Sequence, residues 1–276
     1  MKKVIIVGAG VSGMTSAIYL SRFGYEVFEF SGYSHGLLEQ TSIIENFPGF
    51  PEGISGVELL KKIKAQAEKF GTTFFEEEVL KIVPENNLIE TDLGNKYKYD
   101  ALVVATGSTP YKLSVPGEFN YCATCDGPFF KGKKVLVIGG GDSSLTEAIH
   151  LSGICAEVTI LYRRRIKASK ILKDRCDTLK NVFFLQGELK CFSEGTAVIA
   201  SEGQQFMKEV DGVFVSIGNV PNNRIVTDAF GATLDCSKNV FMCGDCKSNL
   251  YRQAIVAAGD GSKTAIEVDR YFKQQS

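Results

Sequence analysis

Along residues 2–30, KKVIIVGAGVSGMTSAIYLSRFGYEVFEF, a run of β-branched residues stops at a glycine turn, and an amphipathic helical period follows. The alternating segment YEVFEF then closes the unit. That pattern predicts strand, helix, strand. Residues 133–161, KKVLVIGGGDSSLTEAIHLSGICAEVTIL, repeat it without a gap at an offset of 131 residues. Lys2, Val4, Gly8, Gly10, Ser12, Thr15, Ala17, Leu20, Ser21, Glu26 and Val27 meet identical residues in the second copy. Two β-α-β units imply an α/β chain with two Rossmann-like dinucleotide-binding folds. Elsewhere, residues 84–100, PENNLIETDLGNKYKYD, predict a β-hairpin around Leu93–Asn95, and residues 202–218, EGQQFMKEVDGVFVSIG, predict another. The acidic run within residues 68–82, EKFGTTFFEEEVLKI, predicts a solvated helix-to-strand edge.

The glycines of the repeat point to phosphate. Gly8 permits a tight turn, Gly10 lets backbone N–H groups approach a pyrophosphate, and Gly13 allows a helix to pack closely on a strand. The helix N-terminus then faces the anion. One such pattern is weak evidence; two in register, each between a strand and a helix, are strong. The copies differ where specificity is set. Ser144 replaces the third glycine beside Gly139 and Gly141, and the second strand runs into YRRRIKASK, residues 162–170. No acid stands there to hold a ribose 2′-hydroxyl. Arg163, Arg164 and Arg165 stand there instead, and guanidinium forks suit a 2′-phosphate, which points to NADP. In the first copy Glu29 lies near the place of the ribose acid, but Ser31 is the residue opposite Tyr162.

Composition narrows the classes. The 276 residues suffice for two domains, and 44% hydrophobic with 23% charged residues is a globular balance. A net charge of −1 argues against nucleic-acid binding. The apolar run after Lys2 and Lys3 is too short for a secretory signal, and no stretch reaches the roughly 20 apolar residues of a membrane span. A cytoplasmic location is therefore expected, where eight cysteines do not form a disulfide framework. Cys122 and Cys125, in EFNYCATCDGPFF, form a close pair that a metal, a staple or a redox switch could use, and CGDC at 243–246 is a second C-x-x-C. Zinc is disfavoured because Cys243 ends an apolar strand. The single cysteines Cys155, Cys176, Cys191 and Cys236 read as packing or surface residues, His150 as structural, and His35 as at most a neighbour of the cofactor.

With these motifs in hand, the chain resembles the low-molecular-weight thioredoxin reductases over nearly its whole length. The carrying stretches are GAGVSGMTSAIYLSR (8–22), IENFPGFPEGISG (44–56), ATGSTP (105–110), YCATCDGPFFKGKKVLVIGGGDSSLTEA (121–148) and CGDCKSNLYRQAIVAAGDG (243–261). The resemblance implies two nested three-layer domains: FAD on 1–112 plus 218–276, and NADPH with the redox cysteines on 113–217. FAD would meet Gly8, Gly10, Gly13, Glu29, Ser31, Gly36, Leu37, Asn46, Ala105, Thr106, Gly107, Gly244, Asp245, Arg252, Gln253 and Ala254. NADPH would meet Gly139, Gly141, Asp142, Ser143, Ser144, Arg163 and Arg164. Cys122 and Cys125 would be the redox pair, with Cys125 nearer the flavin and Asp126 as acid–base group. A homodimer and a thioredoxin or thioredoxin-like partner are implied as well, with a large rotation between the domains.

The chain also departs from that family. Leu37 stands where relatives have a polar glutamine, Tyr162 where they have histidine, and Lys167 is the nearest match to a later arginine. The crossings between domains, Phe119–Asn120 and the return from 216–223 to 240–245, are short. Other readings therefore stand beside the first: a donor such as ferredoxin or a deazaflavin, a flavin-dependent dithiol oxidase, or a redox-sensing protein that binds nucleotide without turnover.

Overall fold

The computed structural model describes residues 1–33, 36–231, 239–247 and 251–275; His35 and Cys236 lie outside them. The chain divides into two units, Met1–Thr109 with Val220–Ser276, and Pro110–Asn219.

In the first unit a five-stranded parallel sheet runs in the order Val240–Met242, Ala101–Val104, Lys3–Val7, Glu26–Phe30, Thr73–Phe75. Val4 to Val7 are buried on both faces, which is why the central strand reads as a continuous apolar run. Val4, Ile6, Val27 and Val103 face helices Val11–Arg22 and Ala254–Gln274, through Ala17, Leu20, Ala265 and Val268. Ile5, Val7, Phe30 and Leu102 face the other way, onto a three-stranded antiparallel layer of Val79–Val83, Leu88–Thr91 and Lys96–Lys98. The layers are thus helix, parallel sheet and antiparallel sheet. The expected hairpin forms, its turn closed by Thr91 N–H donating to the Asn95 carbonyl at 3.0 Å.

The second unit repeats the plan. Its parallel sheet runs Val182–Gln186, Glu157–Tyr162, Lys134–Ile138, Gly212–Val215, with helix Asp142–Ser152 on one face. The antiparallel strands Glu188–Ser193, Thr196–Ser201 and Gln204–Glu209 cover the other, through Leu136, Leu161, Leu189 and Ile199.

Two sequence expectations need correcting. Gln204–Glu209 does pair in a hairpin, but its partner is Thr196–Ser201, and Gly212–Val215 leaves that layer to become an edge of the parallel sheet. Its four residues are all buried, so a continuous apolar run was available to read. The acidic run is not wholly solvated either. Thr73–Phe75 is a strand of the parallel sheet, and the buried Glu77 accepts hydrogen bonds from Thr91 at 2.6 Å, Tyr97 at 2.7 Å and Asn95 at 3.1 Å. Burial pushes the Glu77 carboxyl up, but these donors outweigh it and hold the group below its ordinary value.

Candidate functional site

Each parallel sheet ends in a glycine turn at the place where strand order reverses, the usual ligand crevice of such sheets. In the first unit Gly8 has φ +108, and a Cβ there would overlap the Ala105 carbonyl that follows the neighbouring strand. A Cβ on Gly13 would overlap the Gly8 carbonyl, so the third glycine lets the helix close on the turn. Gly10 is different. Its φ is −80 and nothing lies within 4 Å of a Cβ placed there, so the protein's own packing does not require glycine. An open cradle at the start of helix Val11–Arg22 is what a pyrophosphate needs.

The second unit shows the same division. Gly139 has φ +146, and its Cβ would overlap the Ser216 carbonyl, whereas Gly141 has open space. Ser144 fits in place of a third glycine by turning its hydroxyl back to the Gly141 carbonyl at 2.8 Å. Asp142 accepts from Ser169 N–H at 2.6 Å, and the Gly140 carbonyl accepts from Lys167 N–H at 2.6 Å and Ala168 N–H at 3.1 Å. The arginine segment is therefore tied to the glycine turn. Ser143, Arg163 and Arg164 are exposed at this corner.

Several of the remaining first-unit residues are bonded to the turn or to one another. Ala105 N–H bonds the Val7 carbonyl at 2.8 Å, Asn222 N–H bonds the Gly107 carbonyl at 2.9 Å, and the Thr106 hydroxyl donates to the Asn222 carbonyl. Gly244, at φ +72, has its N–H held by Asp260 at 2.8 Å, and its Cβ would overlap the Ser12 hydroxyl. Asp245 accepts from Ser108 at 3.2 Å; burial pushes its carboxyl up, against the pull of that bond and of Arg252. Asn46 donates to Gln253 at 2.8 Å, and Gln253 precedes helix Ala254–Gln274. Arg252 is exposed, Ala254 opens that helix, and Gly36, with φ +86, precedes the short helix Leu37–Gln40. Sequence reasoning assigned no role to Asp260, Ser108 or Asn222. The first lies in the quoted AAGDG stretch, but a carboxylate that holds a backbone N–H across the fold leaves no local spacing.

Cys122 and Cys125 form a disulfide, S–S 2.05 Å, around the one-turn helix Ala123–Asp126. Asn120 fastens the preceding segment to strand Gly212–Val215, donating to Val213 at 2.9 Å and accepting from Val215 at 2.8 Å. Ala123 packs with Leu145, Ala148 and Leu151 of the neighbouring helix. Cys122 is buried and its sulfur accepts from Cys125 N–H at 3.0 Å; Cys125 is exposed, as is Phe129 at 75%. Asp126 is half-buried beside them. Cys243 and Cys246 are free, buried thiols. Burial pushes Cys243 up to about 12, and the Cys246 thiol donates to the Val104 carbonyl at 3.3 Å. Among the described residues no group of three or more His, Cys, Asp or Glu side chains converges, and no helix is long and apolar enough to cross a membrane.

A family model of pyridine nucleotide-disulphide oxidoreductases matches residues 2–261. The chain belongs to that family. It is 34% identical to the thioredoxin reductase of Chlamydia pneumoniae, over 98% of each chain. It is 35% identical to that of Neurospora crassa, over 99% of this chain and 94% of that one. The solved thioredoxin reductase of Lactococcus lactis superposes with a TM-score of 0.93 at 28% identity, over 99% of this chain and all of that one.

Each unit also holds an acid with an enclosed carboxylate oxygen. Glu147 accepts from Ser216 at 3.0 Å on one oxygen, and the other has no partner among the described residues; burial pushes the carboxyl up to about 7. Glu29 is more extreme. It is 0% exposed, neither oxygen has a partner among the described residues, and Oε1 lies 2.9 Å from where a Gly13 Cβ would be. It sits beneath the turn rather than at its rim. Burial raises its carboxyl well above the ordinary value, opposed only by Lys64. The folded state therefore binds this proton more tightly than the unfolded chain. The associated stability is complete below the unfolded carboxyl range, about 4.3, and is lost as pH rises through the folded value. Glu29→Gln keeps the shape and cannot ionise. Its melting temperature should match the parent's in mild acid and exceed it at alkaline pH by about 3 °C or more, measured by thermal unfolding across pH. A variant less stable than the parent in alkali contradicts the assignment.

Proposed function

We propose that this chain is an FAD-dependent thioredoxin-disulfide reductase that draws on NADPH. The Cys122–Cys125 disulfide carries the reading, because it shares its unit with a second glycine turn that has an open cradle at Gly141. The family match and the relatives support the reductase direction and do not favour a ferredoxin or deazaflavin donor or a dithiol oxidase.

In this reading the unit Met1–Thr109 with Val220–Ser276 holds FAD. Gly8, Gly10 and Gly13 take its pyrophosphate, and Ser31, Gly36 and Leu37 border the adenosine side. Ala105, Thr106, Gly107, Asn46, Gly244 and Asp245 line the remainder, with Arg252, Gln253 and Ala254 at the ring. Glu29 acts from below the turn and not by contact. The unit Pro110–Asn219 takes NADPH through Gly139, Gly141, Ser143 and Ser144, with Asp142 bracing the loop that carries Arg163 and Arg164. Bound FAD supplies the means of passing two electrons from the nicotinamide to the disulfide.

The cysteines do the rest. Two electrons break the S–S bond and two protons complete the dithiol. The Cys125 N–H donates to the Cys122 sulfur at 3.0 Å, and after reduction the thiolate is the nucleophilic form of the pair. One thiolate attacks a sulfur of the partner's disulfide, the other cysteine resolves the mixed disulfide, and the partner leaves with two thiols. Asp126 returns a proton to the departing sulfur in this reading. The exposed Phe129 offers apolar surface next to the pair, which suits a protein partner. We assign a thioredoxin or thioredoxin-like protein as that partner, a homodimer as the assembly and the cytoplasm as the setting.

Two variants test this. Cys122→Ser and Cys125→Ser should each keep bound flavin and lose NADPH-driven thioredoxin reduction by about 100-fold or more, since neither can form the disulfide. Full turnover by either overturns the proposal. Gly10→Ala has room for its methyl group, so far-UV circular dichroism should be unchanged while flavin content after purification falls by about tenfold. Retention of full flavin removes Gly10 from the site.

A further inference from the structure

The corner of the second unit that follows strand Glu157–Tyr162 carries three arginines in sequence, and they are not equivalent. Tyr162 pairs with Gln186 at the end of the sheet, and Gly187 N–H donates to the Tyr162 carbonyl at 3.0 Å. Gln186 also donates to the Arg163 carbonyl at 3.4 Å. This turn brings the first residue of strand Glu188–Ser193 against the arginines. The Glu188 carboxylate lies 3.5 Å from Arg163 Nη1, and its other oxygen is 2.6 Å from Lys190. Arg164 and Arg165 form no ion pair among the described residues. Lys190, and more weakly Arg163, hold the Glu188 carboxyl below its usual range, so it is charged at neutral pH.

In dinucleotide folds the end of the second strand is where an acid accepts a ribose 2′-hydroxyl or an arginine accepts a 2′-phosphate. Here both residue types occupy one corner. The acid comes from a strand some 25 positions after Arg163, so no motif at the strand end reveals it.

We propose that Glu188 is a specificity-determining residue of the nucleotide site: it competes with a 2′-phosphate for Arg163 and offers an acceptor to a 2′-hydroxyl, so that the site admits NADH as well as NADPH. This rests on the nucleotide reading of the second unit given above. To bind the phosphate, Arg163 has to leave Glu188, and the phosphate then approaches a carboxylate of like charge; Arg164 and Arg165 are left to hold it. With a 2′-hydroxyl the Arg163–Glu188 pair stays intact. Both effects reduce the preference for the phosphorylated nucleotide without changing the glycine turn.

The experiment is calorimetric binding of 2′,5′-ADP and 5′-AMP to the holoprotein and to Glu188→Gln, Arg163→Gln and the double variant at low salt, with no turnover required. Glu188→Gln should tighten 2′,5′-ADP about fivefold and leave 5′-AMP unchanged or weaker. The gain should vanish in the Arg163→Gln background and shrink at high salt. A change in 2′,5′-ADP and 5′-AMP by the same factor, or a gain that persists without Arg163, overturns the competition. An unchanged affinity for 2′,5′-ADP overturns it too, while leaving the nucleotide site standing. If the parent binds neither probe, the nucleotide reading itself fails and this inference with it.

Discussion

Two backbones meet without room for a side chain at the end of each central strand: Gly8 against the Ala105 carbonyl, and Gly139 against that of Ser216. The site depends on this close approach. It turns the chain sharply enough that the next helix begins directly after the strand, with no side-chain cap on its first turn among the described residues. The approach also costs the protein any side-chain packing at the turn, so the strands beside it must be buried on both faces to hold the geometry. Val4 to Val7 and Val135 to Val137 meet that demand. Gly10 and Gly141 then remain as glycines that the protein's own packing does not require.

The repeat made the two parallel sheets, their helices and both glycine turns legible, because strand and helix periods are local and glycine at a positive φ is a local requirement. Ser144 fits the third position because its hydroxyl turns back to the Gly141 carbonyl. The features that escaped are those set by long-range placement. Glu77 stands in an acidic run that looks like solvated surface, yet three donors from the antiparallel layer converge on it. Gly212–Val215 follows a hairpin strand closely enough to pass for its continuation. Glu29 lies near the position where a ribose acid is expected, but its placement beneath Gly13 depends on which face of the strand it occupies. Asp260 and Asn222 hold backbone groups far away in sequence, and no spacing announces that.

Charge is the second organising theme. The acids of this chain behave according to what meets them: Glu77 is stabilised as an anion by three donors, the Glu29 carboxyl is pushed up by enclosure, and Glu188 stays charged beside Lys190 and Arg163. Residue type alone distinguishes none of these. The cysteines divide the same way. Cys243 and Cys246 are sealed as thiols in the core, whereas Cys122 and Cys125 sit on a one-turn helix with one sulfur exposed. The same C-x-x-C spacing therefore gives two sealed thiols in one place and a partly exposed disulfide in the other.

The central claim is electron flow from a pyridine nucleotide to the Cys122–Cys125 pair. It is tested most directly by adding NADPH to the oxidised holoprotein without oxygen and following the flavin band at about 450 nm. The account predicts prompt bleaching, reversed when oxidised thioredoxin is added. Flavin that stays oxidised with NADPH and NADH, but is reduced by ferredoxin or a reduced deazaflavin, would contradict it and make the second glycine turn a site without a role in electron entry.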